Sequence, residues 1–408
     1  MAFSSDTLPN GLTVLTESVP DARSVAIGCF VRCGSRDETP AVSGVSHFLE
    51  HMAFKGDETR DADAMNRLFD DLGARYNAST GEEVTTYYAN VLPEYLEPAT
   101  DLVTTLIRPT LREEDFRTEK QVILEEIGMY ADQPGFFAYD EAMGVHFDGH
   151  PLGRSILGTT ESIGGLGLGQ MIDYHAARYS AGAVTFVAAG NCDRGRIVDL
   201  ATRHCGDWPA ADVDRPLPPH EPAGRTVVLP RDTTLQQYVV AMASAPPADD
   251  PRRLAAELVA VAVGDDSGSR LYWDLVDPGH AEAAELGYNE YEGVGTWMTY
   301  LSGEPDATVT NIERLRAVFD RVNADGFTAA ELDRAKSKAA ARLVLRAERP
   351  MGRLSAIAGN WIYRREYLSV AEEIAAVRSV TVDDVRALLD AFPLAMTTTV
   401  GVGPLSSL

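Results

Sequence analysis

Cysteine is scarce in this chain: four residues in 408, none spaced as C-x-x-C, so neither a redox dithiol nor a disulfide framework is indicated. Cys29 and Cys33 share one expected strand, where four residues span ~13 Å, too far for a disulfide. A reducing compartment, the cytoplasm, is the expectation. No stretch approaches 18 uninterrupted apolar residues, so no membrane span is expected. The start, Met1-Ala2-Phe3-Ser4-Ser5-Asp6, has no basic residue and no apolar core, unlike a signal peptide. Positive charge is also short: 36 Lys and Arg stand against 61 Asp and Glu, a net charge of −25. That balance argues against nucleic acid or an anionic membrane as partner. It suits basic peptides, and it equally suits a general solubility adaptation. No Ser-His-Asp or Cys-His arrangement stands out. Gly165-Leu166-Gly167-Leu168-Gly169 lacks the preceding strand and following Lys-Ser/Thr of a phosphate loop, and reads as a loop into a helix near 169–178.

What is present is globular in kind: 45% hydrophobic and 24% charged residues, in a length that suggests two or three domains. A Pro-rich stretch from Trp208-Pro209 through Pro216, Pro218, Pro219 and Pro222 reads as an extended linker, placed at 213–225. The segments on either side, 1–212 and 226–408, follow one plan. The first opens on an alternating strand at Ser24–Arg32. Two helices follow, the second near 61–73, then strands near 75–79 and 83–91, then helices near 94–107 and 112–131. The second has strands near 226–229 and 236–244, helices near 252–263 and 269–276, strands near 281–289 and 295–302, and helices near 308–323 and 329–347. Leu111 to Lys120 parallels Phe327 to Lys336 at an offset of 216 residues, which pins the repeat at one point. The fold class is therefore α+β: a duplicated α/β-sandwich-like domain, mainly antiparallel sheet with helices packed on one face.

His47-Phe48-Leu49-Glu50-His51 is the richest run. Residues four apart on a helix share a face, so His47 and His51 can grip one metal ion, with Glu50 beside them to act on a bound water. The order H-x-x-E-H is the inverzincin pattern. Catalytic zinc usually takes three protein ligands, so a third is needed from elsewhere. The 112–131 helix offers Glu119 and Glu126, seven apart and on one face, with Val122 and Ile123 expected to turn inward. In the second half these glutamates map onto Ala335 and Arg342, so only the first half keeps a metal-binding set.

Taken with these features, the chain resembles the pitrilysin/insulinase family of zinc metallopeptidases, in the branch of the mitochondrial processing peptidase and its bacterial relatives. The likeness runs through Gly44 to Gly56, Tyr76-Asn77-Ala78-Ser79-Thr80, His150-Pro151-Leu152-Gly153-Arg154, Gly158-Thr159, Ala188 to Asn191, Ser269-Arg270-Leu271 and Glu331 to Lys336. It implies one zinc ion per chain held by His47, His51 and Glu126, with Glu50 as general base. It also implies that Glu119 is a supporting acid, and that Asn77 and Ala78 lie on an edge strand that pairs with an extended peptide. The implied activity is endopeptidase action on unstructured peptides, within a chamber closed by two subunits of which this chain is half.

One departure accompanies the resemblance. Family members that cleave peptides carry an arginine and a tyrosine seven residues apart, shortly after the Ser-Arg-Leu run. Val276 and Glu282, with one residue missing between them, stand there in this chain, and Tyr288, Tyr291 and Arg270 are neighbours of the wrong spacing. The resemblance then implies either a heterodimer, in which a related subunit supplies the pair, or a homodimer with altered substrate handling. A catalytically silent partner subunit is the alternative from another class.

Overall fold

The computed structural model describes residues 2–211, 213–222 and 224–408. The first half contains strands β1 (Ala2–Thr7), β2 (Thr13–Ser18), β3 (Val25–Val31), β4 (Arg75–Thr80), β5 (Thr85–Val91) and β6 (Val184–Gly190). Its helices are α1 (Val45–Ala53), α2 (Ala62–Asp71), α3 (Leu96–Leu106), α4 (Glu113–Ala131), α5 (Pro134–His146), α6 (Thr160–Gly165), α7 (Leu168–Arg178) and α8 (Arg194–Cys205). The second half contributes β7 (Thr226–Pro230), β8 (Gln237–Ala245), β9 (Ala283–Tyr291), β10 (Val294–Gly303) and β11 (Thr398–Gly403). With them come α9 (Arg253–Gly264), a π-helical turn at Tyr272–Val276, and α10 (Thr308–Asp325), α11 (Ala329–Ala347), α12 (Pro350–Arg364), α13 (Val370–Ser379) and α14 (Val382–Ala391). No helix among the described residues is long and apolar enough to cross a membrane.

The duplication is visible in strand order. One sheet runs β1-β2-β6-β3-β5-β4 and the other β7-β11-β8-β10-β9. Each is antiparallel except at one pair, β2–β6 in the first and β11–β7 in the second. The offset between Leu111 and Phe327 also holds at element ends: α4 and α11 begin at Glu113 and Ala329 and finish at Ala131 and Ala347.

Two compact units form, but not from contiguous chain. One comprises Met1–Gly128, Arg154–Pro216 and Leu345–Tyr367; the other comprises Met129–Gly153, Leu217–Val344 and Leu368–Leu408. The break at Pro216 falls inside the expected linker. The contiguous bounds 1–212 and 226–408 nevertheless omit a reciprocal exchange of helices. Helix α5 packs on β8 and β11, and α12 packs on β3 and β6. Both begin at a proline, Pro134 and Pro350, which are equivalent positions of the repeat. The stretch at 213–225 is also not a free linker at Arg215, whose buried guanidinium pairs with Asp37 at 2.6 Å.

This exchange explains β3. The expected alternation at Ser24–Arg32 is present by face, yet all seven residues of β3 are buried. Val25, Ile27, Cys29 and Val31 join the main core with Phe48, Leu49 and Met52 of α1. Ala26 and Phe30 face the other way, against Leu354, Ile357 and Ala358 of α12. A sheet face that a single domain would leave wet is thereby kept dry.

A candidate metal centre on two helices

Helix α1 is placed by its apolar side. Val45, Phe48, Leu49 and Met52 are buried in the core, which turns Glu50 and His51 toward the opposite side. Phe48 stacks on Phe116 of α4, ring centroids 4.8 Å apart and planes 11° from parallel, so the two helices are locked where the ligands must meet. On α4, Phe116, Glu119 and Ile123 form the buried stripe. Val122 does not turn inward as expected: it is 42% exposed. The 3.6-residue period puts only Ile123 on the Phe116 face, and Val122 falls beside it on the open side.

The donor atoms converge. His47 Nε2 and His51 Nε2 lie 3.8 and 3.5 Å from the same Glu126 oxygen. The three ligand atoms all fall within 4.8 Å of one another, the one such cluster among the described residues. Ligands about 2.0–2.2 Å from a tetrahedral ion lie about 3.4 Å apart, so little closure is needed. On its other side, His51 Nδ1 meets Glu119 at 3.2 Å, and Lys55 Nζ holds the second Glu119 oxygen at 2.5 Å. A carboxylate there puts the ring proton on Nδ1 and leaves the Nε2 lone pair free for a metal. Burial, with His51 adding to it, pushes the His47 imidazole down to about 4, so it is neutral at physiological pH, as a ligand must be. Two imidazoles and a carboxylate are a recurrent catalytic zinc set, and these residues fit the ion.

Glu50 is next to this cluster but outside it. Its Oε2 accepts a hydrogen bond from Thr80 Oγ1 at 2.6 Å. Burial raises its pKa, and the Thr80 bond opposes the rise. Thr80 ends β4, which is the free edge of its sheet. Asn77 is exposed and Ala78 buried on that strand, paired with Tyr88 and Tyr87 of β5. Thr80 and Lys55 are site residues to which sequence reasoning assigned no role. Both lie in motif runs it singled out, but only distance shows what they hold.

At the places of the family's arginine and tyrosine, Val276 closes the π-helical turn and Glu282 is exposed, bonded to Gln236. The neighbouring groups are committed elsewhere. Arg270 pairs with Glu331 at 3.0 Å, Tyr288 donates to the Pro246 carbonyl at 2.8 Å, and Tyr291 is buried in the core.

A duplicated α/β chain with an inverted zinc motif on one helix and an acidic ligand on a later one defines a class: M16-type metallopeptidase-like proteins. Residues 13–160 match the profile described as Insulinase (Peptidase family M16), and residues 166–339 match the Peptidase M16 inactive domain. The chain is 32% identical over 398 residues to an uncharacterized zinc protease of Streptomyces coelicolor, covering 94% of this chain and 85% of that one. It is 31% identical over 394 residues to an uncharacterized zinc protease of Mycobacterium tuberculosis, covering 94% and 89%. The crystal structure of a protease from Helicobacter pylori superposes with a TM-score of 0.91 at 21% identity, covering 98% and 99%. The chain belongs to the M16 insulinase family. In the second half, Ala335 and Arg342 stand where the first half has Glu119 and Glu126.

Buried histidines set an acid limit on the metal-free protein. His47, His146 and His175 are each pushed down to about 4, first by burial. An unfolded histidine takes its proton near pH 6.5, so between about 6.5 and 4 the unfolded state binds more protons and stability falls as pH falls. Each of the three contributes a slope of up to about 1.4 kcal/mol per pH unit in that window. Urea midpoints of the apo protein at pH 7, 5.5 and 4.5 should drop steeply, and equal midpoints would contradict neutral burial.

Proposed function

We propose that the chain is a zinc-dependent endopeptidase acting on unstructured peptides or protein segments. The observation that carries this is the meeting of His47 Nε2 and His51 Nε2 at one oxygen of Glu126, with Glu50 alongside. His47, His51 and Glu126 would hold one zinc ion, which when bound supplies Lewis-acid polarisation and lowers the pKa of water. Glu50 takes the proton of the attacking water and returns it to the leaving amine nitrogen. The raised pKa of Glu50 brings it closer to neutrality, where both halves of that shuttle are accessible. Thr80 fixes which Glu50 oxygen is free. Glu119, braced by Lys55, keeps His51 in the metal-binding tautomer.

The free edge of β4 suits β-strand addition: an extended peptide pairs with the backbone near Asn77 and Ala78, giving affinity with little sequence demand. Folded proteins lack such a free extended segment. Val276 and Glu282 in place of the arginine and tyrosine favour a two-subunit chamber. In it the missing contacts come from a related chain, or a second copy handles substrate differently. The four free cysteines, three of them buried, suit a reducing compartment, and we place the protein in the cytoplasm.

Metal analysis with digestion of an unfolded peptide mixture tests the reading. The expected result is one zinc per chain and cleavage abolished by chelator and restored by zinc. A zinc-loaded chain, alone and with candidate partner subunits, that leaves every peptide intact would make it a silent scaffold.

A further inference from the structure

We propose that Glu38 is the positioning residue for His47, clamping the first turn of α1 so that the imidazole is aimed without a hydrogen-bonded partner of its own. This rests on the metal-site reading above. The two histidines are supported unequally. His51 has Glu119 on its Nδ1, whereas His47 Nδ1 is buried with no hydrogen-bond partner among the described residues. A metal-ligating histidine is normally oriented through its second nitrogen, so something else must fix His47. What remains is the backbone that carries it.

That backbone is held by an acid from a separate element. Helix α1 has no side-chain cap of its own, because its N-cap is Gly44 with φ of +89°. A Cβ at Gly44 would come within 2.6 Å of the Leu157 carbonyl oxygen, so a serine or aspartate cap is sterically barred. Glu38 takes the task instead: one carboxylate oxygen accepts from Ser46 N–H at 2.8 Å and the other from Gly44 N–H at 2.7 Å. Ser46 directly precedes His47, and its hydroxyl is bonded to Tyr174 at 2.9 Å. Both oxygens of a 3% exposed carboxylate are thus spent on the turn that leads into His47.

The mount beneath Glu38 is rigid. The preceding turn, Ser35–Asp37, is tied to the β4–β5 hairpin by Arg36 N–H to the Glu82 carbonyl at 2.8 Å. The Arg36 guanidinium pairs with Glu83 at 2.6 Å, with both side chains almost wholly buried. Asp37 is gripped by Arg215. Position 38 therefore transmits the register of the β4–β5 hairpin to the metal-bearing helix.

A merely structural cap and a positioning residue differ in what they move. Zinc dissociation constants, by competition with a chromophoric chelator, and thermal midpoints of the apo protein are measured for wild type, Glu38→Gln and Asp193→Ala. Asp193 caps α8 in the same unit, accepting from Arg196 N–H, and is remote from the site in sequence and element. Glu38→Gln keeps one acceptor oxygen, but its amide nitrogen cannot accept the second backbone N–H. It should weaken zinc binding by about 10- to 100-fold while still folded. Asp193→Ala should lower the midpoint with less than about a twofold change in affinity, as expected of a cap alone. An unchanged zinc affinity in Glu38→Gln, or an equal loss in Asp193→Ala, overturns the proposal. If the glutamine variant does not fold, Glu38→Asp carries the test. It keeps a carboxyl group with two acceptor oxygens but shortens the reach, and unchanged affinity there is likewise fatal. Wild type that binds no zinc refutes the metal-site reading instead, a separate outcome.

Discussion

Glu50→Gln is expected to leave one zinc per chain and to cut kcat on an unfolded peptide by about 10²- to 10⁴-fold, the range general acid–base catalysis supplies. The reasoning is geometric. Glu50 is not among the three donors that share the cluster, so metal affinity should stay within about threefold of wild type. Glutamine keeps the volume, and its Oε1 can still accept the Thr80 hydroxyl bond now made at 2.6 Å. What it lacks is a group that can take a proton from water and give it to the departing nitrogen. KM should hardly change, because on the proposed reading Glu50 would act in the transition state and not in the pairing of peptide with β4. Zinc content and initial rates are to be read on the same preparations. Full activity in a zinc-loaded Glu50→Gln protein would remove Glu50 from the proton shuttle.

The corresponding change at Glu126 behaves differently, and the contrast sharpens the assignment. Glu126 supplies the oxygen both histidines approach, so Glu126→Gln is expected to lose metal and activity together. Loss of activity with metal retained thus separates the base from the ligands.

The grouping of these side chains was legible because it is written in local spacing. His47 and His51 are one helical turn apart, and Glu119 and Glu126 two turns apart, so their shared faces follow from helix geometry. The offset of the repeat was equally readable, since α4 and α11 carry matching helix starts. The exchange of α5 and α12 was not. Phe136, Phe137, Ala138, Ala142 and Met143 say that α5 is to be covered, but apolarity is non-directional and names no partner sheet. Strands β6 and β11 pair in parallel with β2 and β7, each from the far end of its own half, and no local signal encodes such a register. Val122 failed for a smaller reason: apolar character alone does not say which of two adjacent helical positions turns to the core, and the period through Phe116 selects Ile123.

Glu17 is the extreme case of a residue whose meaning lies elsewhere in the chain, and it carries the largest expected stability effect. In β2 an acid reads as a solvent-facing position, yet Glu17 is fully buried because Arg353 of α12, 336 residues away, meets it side-on. Arg353 Nε donates to one Glu17 oxygen at 2.9 Å and its Nη2 to the other at 2.6 Å, and Tyr367 O–H donates to the latter at 2.8 Å. The Arg353 and Glu17 side chains are 3% and 0% exposed. Arg353→Ala therefore strands a buried carboxylate, and should cost about 3–5 kcal/mol. Glu17→Ala should cost a similar amount by stranding the guanidinium. Replacing both at once, Glu17→Leu with Arg353→Met, removes the charges together and should cost far less than the sum of the single changes, since no ion is left without its partner. Tyr367→Phe should lose about 1.5–3 kcal/mol, the usual worth of a hydrogen bond to a charged group. Urea unfolding of the four variants, followed by circular dichroism, decides the matter. If Arg353→Ala costs under about 1 kcal/mol, apolar contact of α12 with β3 and β6 fastens the exchanged helix, and the ion pair only sets its register.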